Sequence, residues 1–216
     1  MPCRAVIFDF NGTLSDDEPI LYGVFAGIFA EYGRPLTERD YFDRLAGLSD
    51  TAIVRGWLGE RDDVDDVVSE RVRRYRRAVA DGRSVGAEVR RAVRYAASRV
   101  PVGLVSGAAL EEIEPVISAA GLADSFSAMV CSDHVDNGKP HPEGYLTALG
   151  LLAGDGAPID PADVTAFEDT EAGVRSARAA GLRCIAVLGT LPAERLAAAD
   201  EIVDGIDEAL MRRIVG

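Results

Sequence analysis

Residues 4–10 read Arg-Ala-Val-Ile-Phe-Asp-Phe, a short β-branched and aromatic run that stops at Asn11-Gly12. A run of this length and composition predicts a buried strand closed by a turn. From residue 18 to about 82 the apolar positions recur three and four residues apart, the helical spacing. Ile20, Val24, Ile28 and Phe29 form one stripe, and Leu45, Leu48, Ala52 and Ile53 a second. Val64, Val67, Val68, Val72, Tyr75 and Val79 form a third, with Asp65 and Asp66 early and Arg73, Arg74, Arg76 and Arg77 late. Acid first and base last suits the helix dipole, so this charge run reads as a solvated helix face rather than a nucleic-acid patch. Beyond Gly86 the pattern alternates. Strands are predicted at 102–106, 128–131, 164–167, 184–188 and 201–203. Helices are predicted at 109–120, 142–153 and 170–180, with another at the C-terminus.

Such alternation predicts an α/β fold, a doubly wound Rossmann-like parallel sheet with helices on both faces. The helical stretch after the first strand is too long for an ordinary connection. It reads as an inserted helical cap domain, residues 16–82, over a core domain of 1–15 and 83–216. Open α/β sheets place their ligands at the carboxyl ends of the strands, under such a cap.

Composition narrows the function classes. With 48% hydrophobic and 27% charged residues, the chain is neither disordered nor collagen-like nor a disulfide scaffold. A net charge of −13 argues against nucleic acid and anionic membrane as partners. A small phosphorylated metabolite stays possible, because a pocket can be positive inside a negative protein. Cys3, Cys131 and Cys184 are too few and too scattered for a zinc site or a disulfide framework. With no signal peptide and no run of ~18 apolar residues, the expectation is a cytoplasmic protein, monomer or homodimer. Lys139 is the only lysine among 23 basic residues, so chemistry that needs a lysine must use it.

Polar groups gather at the predicted carboxyl ends of four strands: Asp9, Asn11 and Thr13; Ser106 and Gly107; Lys139; Glu168 and Asp169. Each alone reads as a helix cap or a loop residue. Together and in this order they mark one site. Phe8-Asp9-Phe10-Asn11-Gly12-Thr13-Leu14, Val105-Ser106-Gly107, Gly138-Lys139-Pro140-His141-Pro142 and Phe167-Glu168-Asp169-Thr170 resemble the four motifs of the haloacid dehalogenase superfamily. Within it, the chain resembles the β-phosphoglucomutase and phosphoglycolate phosphatase-like branch with a helical cap.

The resemblance implies that Asp9 is a nucleophile forming an aspartyl-phosphate. It implies Mg²⁺ held by Asp9, the Asn11 carbonyl, Glu168 and Asp169. Asn11, Thr13, Ser106, Gly107 and Lys139 would surround the substrate phosphate, Thr13 chiefly by fixing the loop. The departure is Asn11, where the family usually has an aspartate that serves as general acid and base. An amide cannot carry that proton. Asp16, Asp17 and Glu18 are the nearest substitutes in sequence, and they read as acids at a helix N-terminus. Asn11 is open to three readings: a natural variant with reduced or rerouted catalysis, a substitution introduced to trap a complex, or a protein that binds phosphate esters without turnover.

Other activities of the superfamily fit less well. A phosphonate hydrolase needs a cap lysine, and this cap has none. A dehalogenase works without metal, which would leave three carboxylates unneutralised. In the mutase pattern the positions of Ala46 and Asp50 are basic; here one is apolar and the other acidic. The reading is therefore a Mg²⁺-dependent phosphomonoester hydrolase, with a phosphate-ester binder or a phosphomutase as alternatives. His134 and His141 read as loop residues.

Overall fold

The computed structural model describes residues 3–154 and 156–216. The first strand, β1 (Ala5–Phe8), is buried over its whole length. Four helices follow: α1 (Glu18–Glu31), α2 (Glu38–Arg44), α3 (Asp50–Leu58) and α4 (Val64–Val79). Then come α5 (Ala87–Ala97), β2 (Val102–Val105), α6 (Leu110–Ala119), β3 (Ala128–Val130) and α7 (Glu143–Ala153). The chain closes with β4 (Val164–Glu168), α8 (Glu171–Ala179), β5 (Arg183–Val187), β6 (Glu201–Val203) and α9 (Glu208–Val215). No helix among the described residues is long and apolar enough to cross a membrane.

The strands form one parallel sheet in the order β3-β2-β1-β4-β5-β6. Successive side chains of a strand alternate between faces. Val6 and Phe8 enter one core with Leu104, Phe167 and residues of α1, α5, α6 and α9. Ala5 and Ile7 enter the other, with Tyr145, Ala166 and Val174. Burial on both faces explains why β1 and β2 read as unbroken apolar runs and why Thr165 is the one polar residue before Glu168 in β4. The register sets Phe8 beside Leu104 on one side and Phe167 on the other. The residues just beyond these three strands therefore emerge level with one another. The chain order reverses about β1, and a crevice opens at its carboxyl end where ligands of such sheets bind.

Two elements differ from the sequence expectation. Helix α5 was not foreseen, although Val89, Ala92, Val93 and Ala96 carry its apolar stripe. Three intervening arginines dilute the pattern. The second apolar stripe is not one helix, because the chain turns between α2 and α3 at Gly47, whose φ is 84°. A Cβ on Gly47 would lie 3.1 Å from Thr170 Cγ2, so this turn rests on the loop after β4. Leu48 is consequently exposed rather than buried in the stripe.

Candidate active site

Asp9 follows β1, and its N–H donates to the Phe167 carbonyl at 2.9 Å. The chain then curls tightly, with Thr13, Leu14 and Ser15 N–H groups all donating to the Phe10 carbonyl. Gly12 makes the curl possible: its φ is 70°, and a Cβ there would stand 2.0 Å from Asp169 Oδ2. Strand β4 supplies Glu168 as its last residue and Asp169 just beyond. Thr170 caps α8, its hydroxyl accepting from Gly173 N–H at 3.1 Å, which leaves Asp169 free to face the crevice. Gly173 gives Glu168 room, since a Cβ there would lie 1.8 Å from Glu168 Oε2.

One carboxylate oxygen each from Asp9, Glu168 and Asp169 lies within 4.8 Å of the others, and all three residues are buried. Lys139 Nζ reaches Asp9 Oδ1 and Glu168 Oε1, each at 2.5 Å, and donates to the Val105 carbonyl at 3.1 Å. Tyr145 donates its hydroxyl to Glu168 at 2.5 Å. Thr13 donates to Asp169 Oδ1 at 3.3 Å. Ser106 and Gly107 line the same crevice, and Ser106 Oγ accepts from Ala108 N–H at 3.1 Å.

Charge is unbalanced here. Burial pushes Asp169 well above the carboxylate range, and the Asp9 and Glu168 charges add to the effect. Burial also raises Glu168, opposed by Lys139. For Lys139 burial acts downward, yet Asp9 and Glu168 outweigh it and raise the ammonium. Glu168 Oε2 and Asp169 Oδ2 have no hydrogen-bond partner. A buried acceptor left unpaired costs about 1–3 kcal/mol, and more when charged. An all-oxygen cluster with two orphaned oxygens fits a hard divalent cation such as Mg²⁺. Cys131, Asp133 and His134 also lie close together, but their groups are in local use. His134 Nδ1 accepts from Cys131 N–H, Asp133 accepts from Leu110 N–H, and burial pushes the Cys131 thiol up to about 12.

A cavity of about 340 Å³ rises from these groups toward the inserted helices. Its upper wall mixes Leu21, Phe25 and Ile53 with Glu18, Tyr41, Asp50 and Arg71. Arg71 is 5% exposed and forms ion pairs with Asp50 of α3 and Glu112 of α6. The sequence offered one signal for it: Arg71 is four residues from Val67 and from Tyr75, on the buried face of α4. Its residue type hid it among neighbouring surface arginines.

Asn11 Nδ2 donates to Asp17 Oδ2 at 2.9 Å and to Tyr75 Oη at 3.1 Å, so both amide hydrogens are committed. Gly12 N–H and the Tyr75 hydroxyl also donate to Asp17. Asp17 and Glu18 do stand at a helix N-terminus, as the sequence suggests, but they are buried there. Asp17 makes no capping hydrogen bond and is 0% exposed. Burial pushes it up to about 6 against those hydrogen bonds. Glu18 is buried, accepts from the Tyr41 hydroxyl at 3.0 Å and lines the cavity. Only Asp16 of the three is exposed.

Residues 6–187 match the family model of haloacid dehalogenase-like hydrolases. The chain is 30% identical to a phosphorylated carbohydrates phosphatase of Thermotoga maritima over 84% of its length and 83% of that protein. It is 28% identical to validoxylamine A 7'-phosphate phosphatase of Streptomyces hygroscopicus subsp. limoneus, over 95% of both. Among solved structures it resembles an Asp-to-Asn variant of CbbY from Rhodobacter sphaeroides in complex with xylulose-(1,5)bisphosphate. The TM-score is 0.81 and the identity 25%, over 95% of both chains.

Proposed function

The chain belongs to the haloacid dehalogenase-like hydrolases, and from that premise we propose that it is a Mg²⁺-dependent phosphatase of a small sugar or polyol monophosphate. The observation that carries this reading is the buried trio of Asp9, Glu168 and Asp169 with two orphaned oxygens, opposed by the single lysine. Mg²⁺ would be held by Asp9, the Asn11 backbone carbonyl, Glu168 and Asp169, and would neutralise charge on the phosphoryl group. Asp9 attacks phosphorus to form an aspartyl-phosphate, which water then hydrolyses. Lys139 faces the phosphate oxygens from the other side as a compact point charge. Ser106 and the Gly107 N–H bind those oxygens, and Thr13 fixes Asp169 and the first loop.

In this reading residues 16–82 form a cap over a core of 1–15 and 83–216. The cavity is at the small end of the ~300–1,000 Å³ typical of small-molecule sites. Carboxylates, a tyrosine hydroxyl and a guanidinium on its upper wall suit a ligand rich in hydroxyls. A second phosphate is disfavoured, because Arg71 is already matched by Asp50 and Glu112. The phosphatases of phosphorylated carbohydrates and of validoxylamine A 7'-phosphate among its relatives support the same substrate class.

One observation favours a second reading, binding without turnover: Asn11 has no proton to give. The two readings separate in a phosphate-release screen over hexose, hexitol and glycolate phosphates. A phosphatase releases phosphate with Mg²⁺ and stops in EDTA. Ester binding with no release under either condition would establish the second reading, and full activity in EDTA would refute the metal assignment.

A further inference from the structure

Asn11 deprives the proposed hydrolysis of the proton carrier that the family resemblance implies at that position, yet the cavity wall holds a carboxyl group that no ion pair accounts for. Glu18 is the first residue of α1 and is 9% exposed. Its one hydrogen bond comes from Tyr41 of α2, itself almost fully buried. Arg71 of α4 lines the same cavity, but its ion pairs go to Asp50 and Glu112. The remaining charges that bear on Glu18 are Asp17 beside it on the chain and Asp9 after β1, with Glu18 in turn acting on Asp169 after β4. Burial, then Asp17, push the Glu18 carboxyl up to about 7, with Asp9 adding and Tyr41 and Arg71 opposing. A group poised near neutrality can both give and take a proton at working pH.

We propose that Glu18 is the general acid and base of this site, taking the place of residue 11. The proposal rests on the phosphatase reading. In the first step Asp9 Oδ forms a bond to phosphorus while the bond from phosphorus to the ester oxygen breaks. The departing oxygen keeps the electron pair and takes the Glu18 proton, leaving as an alcohol. In the second step a water oxygen bonds to phosphorus as the bond to Asp9 breaks, and the water proton goes to the Glu18 carboxylate. The sum is ester plus water to alcohol plus phosphate, with both carboxyl groups restored. Asp17 lies nearer Asn11 but is sealed from the cavity and held by Asn11, Gly12 and Tyr75. It is a positioning residue for the loop.

The test compares the wild type, Glu18→Gln and Asp17→Asn with Mg²⁺ on two esters. One is p-nitrophenyl phosphate, whose leaving group needs no proton; the other is the best hexose or hexitol phosphate from the release screen. Glu18→Gln should lower kcat/KM on the sugar ester by about 10²–10³-fold and on the aryl ester by less than about threefold. It should lower kcat on both, because hydrolysis of the aspartyl-phosphate has lost its base. A burst of nitrophenolate close to the enzyme concentration should then appear, which also shows that the variant is folded and able to attack. The fall in wild-type kcat/KM above about pH 7 on the sugar ester should vanish in the variant.

Equal loss of kcat/KM on both esters, or a rise in KM alone, would overturn the assignment and leave Glu18 a binding residue. A leaving-group-selective loss in Asp17→Asn instead would give the role to Asp17. Wild-type turnover of the aryl ester alone would show that no acid operates. If the wild type turns over neither ester, the phosphatase reading itself fails.

Discussion

Replacing Asn11 by aspartate puts a carboxylate where the amide now donates to Asp17 at 2.9 Å. Two unit charges at that separation repel by about 6 kcal/mol at an effective dielectric of ~20. The pair in Asn11→Asp therefore keeps one proton between its two carboxyl groups well above neutral pH. In the wild type Asp17 gives up its proton near pH 6. Both folded proteins thus hold one proton here below pH 6, while their unfolded chains, with carboxylates titrating near ~4, hold none. Each loses stability as pH rises from ~4, because the native state binds more protons than the unfolded state. The wild type stops losing at about 6. The variant continues at about 1.4 kcal/mol per pH unit. Urea unfolding in EDTA at pH 5, 6, 7 and 8 should show nearly parallel proteins at pH 5 and 6. By pH 8 the variant should have fallen behind by about 3 kcal/mol. A gap that stays constant from pH 5 to 8 would refute the placement of the amide against Asp17. The shared proton also makes residue 11 an acid, so Asn11→Asp should restore sugar-ester cleavage to Glu18→Gln while adding little to the wild type.

Lys139→Ala should weaken binding of inorganic phosphate and cut turnover at least 100-fold, with Lys139→Arg also impaired because its planar fork is bulkier; unchanged kinetics in the folded alanine variant would remove Lys139 from the site. Arg71→Met should cost about 3–5 kcal/mol in urea unfolding, since Asp50 and Glu112 lose their shared cation; an unchanged midpoint would mean the ion pairs carry no stability. Asp169→Asn should abolish turnover yet raise the unfolding midpoint in EDTA at pH 7, because it removes a buried acid crowded by Asp9 and Glu168; a lower midpoint would count against charge crowding at this position.

The site's polar residues were legible because each stands at the end of an apolar strand, where buried run and polar exit are both written locally. Asp9 after Phe8 and Glu168 after Phe167 are of this kind. Parallel pairing in register then assembles them, and the alternation of elements already implied that pairing. What escaped was set by contacts between distant segments. Tyr145 reaches Glu168 from α7, and Arg71 reaches Glu112 across 41 residues of sequence. In a run of arginines, only the four-residue spacing from Val67 and Tyr75 marks the one that turns inward. The acids at 17 and 18 begin a helix as their sequence suggests, but only the fold reveals that they are walled in by Tyr75 and Tyr41. Helix α5 was missed because charged residues obscured a sound apolar period.

The ion pairs of Arg71 would also bear on how substrate gets in and product gets out if the inserted helices swing away from the sheet. Asp50 and Arg71 belong to the same group of inserted helices and would travel together in any swing that uncovers the cavity. Glu112 stays behind on α6, with only the Ala109 N–H at 3.3 Å for company. Any such opening would break the Arg71–Glu112 ion pair, and that contact favours the shut form even before ligand arrives. Breaking that ion pair would add an electrostatic barrier to product escape at a point away from the phosphate. Glu112→Gln would weaken that contact from outside the cavity lining, so an enzyme limited by release would turn over faster with the weaker latch.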